Sequence, residues 1–311
     1  MLKEEVLVSI IVPTYNSCKT IIETLDSIYE QTYKNIELII TDDHSNDDTV
    51  TVCENWINKH QKRFESSKII TSPINTGTAG NLNRALKKTT GIWCKIIAGD
   101  DHLLPHCIEQ FLSHVENKPK QRIVFAKVKG FGNMEAAENW PFKNVTWLFA
   151  NLSHRDMKIL LTQDNFLPAA SAFIRKDVYD QIGGYDESIP LLEDWPFWVK
   201  AVFNGINLYF YDEYVAEYRF SITSISHMSH NQNLSPNYIK SLNKSVSFAH
   251  NHLKHVSLFM HFYTWTRYLK YKGSIIGKFL YLFNIINPDH YKFKTTMKKF
   301  NYFKTHHLEL E

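Results

Sequence analysis

Residues 6–16 read VLVSIIVPTYN, a β-branched and aliphatic run from Val6 to Pro13 that breaks into Thr14, Tyr15 and Asn16. The run predicts a strand, and the polar residues predict its end. The same design recurs three times, at Ile36 to Asp42, Lys68 to Ser72 and Trp93 to Ala98. Between these strands, Thr20 to Tyr29, Thr49 to Lys59 and Ala79 to Thr89 carry apolar residues at helical spacing. Strands alternating with helices are the signature of a parallel sheet with crossover helices. Polar residues follow each strand: Asp42 and Asp43 the second, Asn75 and Gly77 the third, Asp100 and Asp101 the fourth. Open α/β sheets bind ligands outside the carboxyl ends of their strands, so four strand ends are expected to converge on one polar crevice.

The first strand leads into PTYNS, with neither a GxGxxG fingerprint nor a P-loop. A nucleotide bound here has to be held without either glycine-rich loop. Beyond residue 105 the pattern is mixed, with a strand expected at Arg122 to Lys129 and helices around His154 to Leu161 and Trp195 to Phe203. Ser, His and Asn crowd residues 226–235, which reads as a loop or mobile lid, and helical patterning resumes near Asn237. There is no internal repeat.

Composition bounds the answer without naming it. The 311 residues, 44% hydrophobic and 22% charged, are ordinary for a globular protein and exclude a disordered chain or a disulfide scaffold. Cys18, Cys53, Cys94 and Cys107 form no CxxC pair, so they read as free thiols in a reducing compartment rather than a zinc site. The start of the chain, with Glu4 and Glu5, lacks the basic and apolar regions of a secretory signal. No run of about 18 apolar residues is present, so no transmembrane helix is expected. The net charge of +3 hides an asymmetry: residues 226–311 hold 12 Lys and Arg against 3 Asp and Glu, a formal +9, leaving 23 against 29, or −6, for residues 1–225.

Three acidic pairs carry candidate chemistry. Asp100 and Asp101, in KIIAGDD (95–101), follow a buried strand. Mg2+ and Mn2+ prefer oxygen ligands and take one or two from protein while substrate phosphates supply others. The pair suits that task, and it equally suits a helix cap. Asp42 and Asp43, in IITDDHSNDDT (39–49), offer acceptors to a nucleobase imide or ribose hydroxyl, with Ser45 to Asp48 capping the next helix. Turn and capping chemistry alone also accounts for them. Glu193 and Asp194, in PLLEDWPFW (190–198), sit among aromatic residues. Desolvation there raises a carboxylate's proton affinity, the property a general base needs, and a structural ion pair is the competing reading.

The assembled motifs say more than their parts. VSIIVPTYN (8–16), TDDHSNDDT (41–49), NTGTAGNLNRA (75–85), AGDD (98–101), GGYDE (183–187) and EDWPFW (193–198) follow one another in an order and spacing that resembles the family 2 glycosyltransferases, across about residues 6–220. The resemblance implies the GT-A fold, an α/β architecture with a Rossmann-like, mostly parallel central sheet flanked by helices, here with a helical C-terminal extension. It implies a catalytic domain over residues 1–225, nucleotide-binding in 1–104 and acceptor-binding in 105–225, followed by a basic, aromatic-rich extension in 226–311. Pro13, Thr14, Tyr15 and Asp43 would contact the nucleoside, and Asn75, Gly77 and Arg84 would border the same pocket. Asp100 would face ribose and metal, Asp101 would hold Mn2+ or Mg2+ on the diphosphate, and Asp194, paired with Glu193, would deprotonate the acceptor. Gly183 and Gly184 would permit a tight turn beneath the donor sugar. Arg219, in EYRFSITSIS (217–226), would add a positive group at the pyrophosphate when the following loop closes, or serve as a structural Arg on a strand.

Two positions depart from the family pattern. Ala98 stands where many members carry the first acid of an Asp-x-Asp motif, and His44 replaces a common glycine, which an αL backbone accommodates. The resemblance implies an inverting, metal-dependent transfer from a nucleotide sugar, with UDP as carrier, although Asp43 would suit thymine or guanine as well as uracil. The acceptor would be a hydroxyl of a surface polysaccharide or lipid-linked oligosaccharide in bacterial cell-envelope synthesis. A noncatalytic sugar- or nucleotide-binding relative and a nucleotidyltransferase of related fold are the alternatives. Retention of two separate acidic pairs disfavours the first, and the lack of a basic glycine-rich loop in PTYNSCK disfavours the second. The tail, which alternates aromatics with lysines from residue 237 to 311, reads either as a peripheral contact with an anionic membrane or as a helical appendage packed on the catalytic domain. No recognisable nucleic-acid module accompanies it, so nucleic acid is not an expected partner. A cytoplasmic protein, peripheral at the inner face of the membrane if the tail docks there, is the expected location.

Overall fold

The computed structural model describes residues 6–132, 149, 152–163, 165–221, 236–253 and 257–262. The chain divides into two compact units, one drawn from residues 1–140 and 167–242, the other from 141–166 and 243–311.

The first unit is built on a sheet of eight strands. In chain order its first part runs β1 (Val8–Thr14), α1 (Ile21–Tyr29), β2 (Ile36–Asp42), α2 (Thr49–His60), β3 (Ser66–Thr71), α3 (Gly77–Leu86) and β4 (Trp93–Ile96). The short β5 (His102–Leu103), α4 (Cys107–Val115) and β6 (Ile123–Gly132) follow. The strand order is β3-β2-β1-β4-β7-β6-β8-β5, where β7 is Phe173–Arg175 and β8 is Leu208–Phe220. β3, β2, β1 and β4 are mutually parallel, whereas β7 runs antiparallel to both β4 and β6. The sheet is therefore mixed, with its parallel half supplied by the first hundred residues.

β1 and β2 lie in the middle of that half and are buried along nearly their whole length. Parallel strands covered on both faces require such unbroken aliphatic runs. Helix α1 buries Ile21, Thr24, Leu25 and Ile28, at helical spacing, and exposes Ile22, Glu23, Asp26 and Tyr29. Register sets the site: Thr14 pairs with Asp42, so β1 and β2 end level with one another.

The expected β2 coincides with the observed strand, and the other early elements fall within a few residues of expectation. What the pattern missed lies beyond β4, where parallel and antiparallel pairs mix: β5, β7, β8, helix α4 and the helix Lys176–Ile182. Cys53, Cys94 and Cys107 are buried free thiols as expected, and burial pushes all three up to about 12.

In the second unit, helix α5 (His154–Leu161) follows the expected range. Ser153 Oγ caps it by accepting the Asp156 amide, and Met157, Ile159, Leu160 and Leu161 are buried. Helices α6 (Lys176–Ile182) and α7 (Asp194–Phe203) belong to the first unit, and α8 is Pro236–Leu253. The expected loop at 226–235, and residues 263–311 of the aromatic tail, lie outside the described residues. Among the described residues no helix is long and apolar enough to cross a membrane.

Candidate active site

The loops after β1 and β2 are stitched together before any ligand is considered. Asn16, with φ of 53°, accepts the Asn46 amide through Oδ1 at 2.8 Å while its own N–H donates to Ser45 Oγ at 2.8 Å. The Ser17 N–H donates to Thr49 Oγ1 at 2.7 Å. His44 takes the left-handed backbone expected for the residue that replaces glycine, with φ of 69°. The expected cap from Ser45 to Asp48 resolves onto Asp47, whose Oδ1 accepts the Thr49 amide at 3.0 Å; Asp48, at the N-cap itself, makes no side-chain cap bond.

Asp42 serves this scaffold. Its carboxylate accepts the Thr14 hydroxyl at 3.0 Å and the Ser45 amide at 2.9 Å. Thr14 is only 3% exposed, so of the expected nucleoside contacts its hydroxyl turns inward, whereas Tyr15 stands 49% exposed at the mouth of the cleft. Asp43 points toward α3. Both of its oxygens accept the Thr76 amide at 3.0 Å, Oδ1 also accepts the Thr76 hydroxyl at 2.6 Å, and Arg84 pairs with it at 3.4 Å. Arg84 further donates to Thr76 Oγ1 at 2.8 Å and Asn81 Oδ1 at 2.9 Å. Asn75 Oδ1 accepts the Gly77 amide at 3.1 Å, which turns the chain into α3. The structure thus brings Asp43, Asn75, Gly77 and Arg84 together at one strand end.

The turn after β4 settles one alternative. Asp100 and Asp101 do not cap a helix, because the next helix begins at Cys107 with His106 at its N-cap. Gly99 draws this turn against β1: a Cβ there would lie 3.2 Å from both Thr14 Cγ2 and Ile21 Cδ1. Asp101 is 2% exposed and accepts the Arg219 backbone N–H at 2.8 Å. Burial pushes its carboxyl well above the usual range, and the neighbouring Asp100 charge adds to that push. Asp100 is raised as well, by burial opposed in part by Arg219. Two adjacent carboxylates, one buried and one partly so, fit a hard dication, which would remove the repulsion and take oxygen ligands. Among the described residues no group of three or more His, Cys, Asp and Glu could hold a metal, so the pair would supply two protein ligands and leave other positions open.

Arg219, on β8, encloses this turn. Its Nε donates to the Asp100 carbonyl at 2.9 Å, Nη2 donates to Glu23, and the guanidinium lies 4.5 Å from the centre of the Phe131 ring. These are the contacts of a structural Arg that stands beside the acidic pair. Lys95 is a site neighbour that sequence reasoning missed. It is fully buried on β4, donates to the carbonyls of Ala170 and Ala172, and is depressed to about 8 by burial, against the opposing pull of Cys107 and Asp101. The only sequence signal was a Lys inside an otherwise apolar strand.

The Glu193–Asp194 pair opens α7. Leu192, with φ of 64°, turns the chain into the helix, Glu193 occupies its N-cap, and Asp194 Oδ1 accepts the Trp195 amide at 2.7 Å. Behind the pair, Phe197 packs on Tyr185 and Tyr179 at ring distances of 4.7 and 5.1 Å, and Trp198 meets Phe125 edge-on at 4.8 Å. Burial, reinforced by the Asp194 charge, pushes the Glu193 carboxyl up to about 8. Gly183 ends α6 in the left-handed region and Gly184 continues there, the tight turn that the GGYDE motif implied.

Residues 9–183 match the model of glycosyl transferase family 2. The chain belongs to this family. Among curated relatives, UDP-Glc:alpha-D-GlcNAc-diphosphoundecaprenol beta-1,3-glucosyltransferase WfaP of Escherichia coli is 31% identical over 204 residues, covering 64% of this chain and 72% of its own. Among solved structures, Staphylococcus aureus TarS 1–349 in complex with UDP-GlcNAc superimposes with a TM-score of 0.60 at 19% identity, covering 85% of this chain and 72% of the other. The mannosyltransferase PcManGT of Pyrobaculum calidifontis, in complex with GDP-Man and Mn2+, gives 0.52 at 17% identity, covering 93% and 86%. The family 2 member described here has the GT-A fold, and it is a glycosyltransferase.

Proposed function

We propose that this glycosyltransferase moves a sugar from a UDP-sugar to a hydroxyl of a lipid-linked or polysaccharide acceptor, with inversion at the anomeric carbon. The observation that carries the reading is the pair of carboxylates past the end of β4, Asp101 buried and Asp100 partly so, in a turn that Gly99 draws against Thr14 at the end of β1, both with raised proton affinity. UDP is supported by the E. coli relative named for UDP-Glc and by the TarS complexes with UDP and UDP-GlcNAc. A lipid-linked acceptor is supported by the same relative's diphosphoundecaprenol substrate.

In this reading Tyr15, with Pro13 and Thr14 behind it, Asp43, Asn75, Gly77 and Arg84 form the nucleoside side of the cleft. Asp100 and Asp101 would hold Mn2+ or Mg2+, which supplies positive charge against the charge growing on the leaving diphosphate. Asp194 takes the proton from the acceptor hydroxyl as its oxygen bonds to the anomeric carbon and the bond to the diphosphate breaks on the opposite face. One displacement gives inversion. Burial and the Asp194 charge raise the Glu193 carboxyl to about 8, so the pair shares a proton near neutrality. Arg219 fixes the acidic turn through its backbone N–H and its Nε, and adds positive charge beside it.

The excess of Lys and Arg in residues 226–311 supports contact of that region with an anionic membrane surface, where a lipid-linked acceptor would be met. Removing residues 237–311 is then expected to weaken binding to anionic vesicles, and equal binding by both chains would refute that contact. The catalytic assignment is tested by Asp194→Asn, which should leave UDP affinity intact and slow turnover by roughly 100-fold or more, the scale of a lost general base. Normal turnover would remove Asp194 from the role.

A further inference from the structure

The GGYDE turn and helix α3 are 102 residues apart in sequence, yet one side chain fastens them together. Asn83 Nδ2 donates to the Tyr185 carbonyl at 3.0 Å and to Glu187 Oε1 at 2.9 Å, while its Oδ1 accepts the Tyr185 amide at 2.9 Å. An amide that donates to a backbone carbonyl and accepts from the same residue's N–H reads the turn as a paired strand would, with the donor and the acceptor on separate atoms of one planar group. The contact admits no further atom: a Cβ on Gly184 would fall 2.6 Å from Asn83 Oδ1. A second close approach lies at the other end of the helix, where a Cβ on Gly77 would fall 2.6 Å from Pro190 Cβ and 2.9 Å from its carbonyl oxygen. Helix α3 is thus fixed at both ends to the segment that leads, within a few residues, into Glu193 and Asp194.

The same helix carries Arg84, whose guanidinium reaches Asp43 on the nucleoside side. Neighbouring side chains of one helix therefore touch both halves of the site. Nothing in the sequence spacing announces this, because both partners of Asn83 are backbone or loop groups far along the chain.

We propose that Asn83 is a positioning residue: by clamping the turn at 184–187 to α3, it holds the Glu193–Asp194 pair at the working distance from a donor seated on the Asp43 side. The proposal rests on the assignment of Asp194 as base, and the experiment separates the two claims. Loss of the clamp leaves the Asp43–Arg84–Thr76 contacts in place, so the nucleotide still binds, while misplacement of a reacting group by about 1 Å costs up to about 100-fold in rate.

The test measures UDP release from UDP-glucose together with calorimetric affinity for UDP in Mn2+, for wild type, Asn83→Ala, Asp194→Asn and the double variant. Asn83→Ala should lower kcat by about 10- to 100-fold with UDP affinity unchanged, and this loss should vanish in the Asp194→Asn background, because a positioning residue has nothing left to position. Asn83→Asp, which preserves the shape and the acceptance from the Tyr185 amide but replaces both donations by repulsion, should show the same split and serves if the alanine variant fails to fold. Wild-type turnover in both variants, a parallel loss of UDP affinity, or a full rate loss retained on top of Asp194→Asn would overturn the proposal. Normal turnover of Asp194→Asn combined with a slow Asn83→Ala would overturn the base assignment and, with it, the route by which Asn83 is proposed to act.

Discussion

Glu37 and Asp101 are both carboxylates sealed from water, 1% and 2% exposed, at opposite ends of β2 and β4, the two parallel strands that flank β1. Their surroundings differ completely. Glu37, at the start of β2, accepts the Ser9 hydroxyl at 2.6 Å, the Thr90 amide at 2.9 Å, the Thr90 hydroxyl at 3.1 Å and the Lys68 ammonium at 3.1 Å. Burial opposes its charge, but the Ser9 hydroxyl, Thr90 amide and Lys68 together outweigh burial and hold it below the usual carboxylate range. Asp101, past the end of β4, has the Arg219 N–H as its hydrogen-bond donor and a second carboxylate next to it, and it is pushed the other way. A buried charge is tolerable when its partners are built in; where they are not, the fold holds a group whose partner must arrive from outside. At Glu37 the partners are built in; at Asp101, in the proposed reading, a metal supplies the missing one.

The largest expected effect breaks the Asp101 side. Asp101→Asn keeps the shape and removes the charge, so turnover should fall by about 1000-fold, the rate equivalent of a few kcal/mol of lost charge stabilisation. Stability should not fall with it. In metal-free buffer at neutral pH the variant should melt at or above wild type, because an uncompensated buried charge has been removed. Activity loss accompanied by a lower melting temperature would mean that Asp101 is structural after all.

Glu37→Ala is the opposite case. It leaves Lys68 and several buried donors without their acceptor and should cost about 3 to 5 kcal/mol of stability, while the folded fraction keeps wild-type UDP affinity. Acid titration sharpens the contrast. With a folded value below its ordinary 4.5, Glu37 contributes stability that is complete above 4.5 and lost as pH falls through the folded value. Asp101, raised above its ordinary 3.8, lowers the stability of the metal-free protein as pH rises from 3.8 through its folded value. Thermal melts below pH 4.5 should therefore drop steeply in wild type and less in Glu37→Gln; parallel curves would remove Glu37 from this role.

A smaller effect tests the second acidic pair. Glu193→Gln removes the like charge that shares a proton with Asp194, so the acid limb of kcat/KM should move to lower pH. A limb that stays in place would mean that the two carboxyls titrate independently.

How much of this was legible in the sequence follows the same division. β2 was read to the residue because a buried parallel strand is an unbroken aliphatic run with polar punctuation. The residues of its loop were legible for the same reason, including the left-handed His44. β8 was not, since its 13 residues mix exposed Asp212, Glu213 and Tyr214 with buried Val215 and Ala216, and its ladder to β6 shifts register near Ala126 and Lys127. β7 has three residues, too few to show any period. Asp100 and Asp101 were readable as a pair, but the choice between metal site and helix cap needed the distance to the next helix. Glu37, Lys95 and Asn83 stayed invisible because their meaning lies in partners 28 to 104 residues away, beyond the reach of local spacing.

The measurement that tests the central claim most directly is calorimetric titration of the wild-type protein and Asp101→Ala with UDP, GDP and dTDP, each with and without Mn2+. The account predicts binding of UDP that strengthens on adding Mn2+ in wild type and loses that dependence in the variant. UDP affinity that ignores Mn2+ in wild type, or that keeps its Mn2+ dependence in Asp101→Ala, would contradict it.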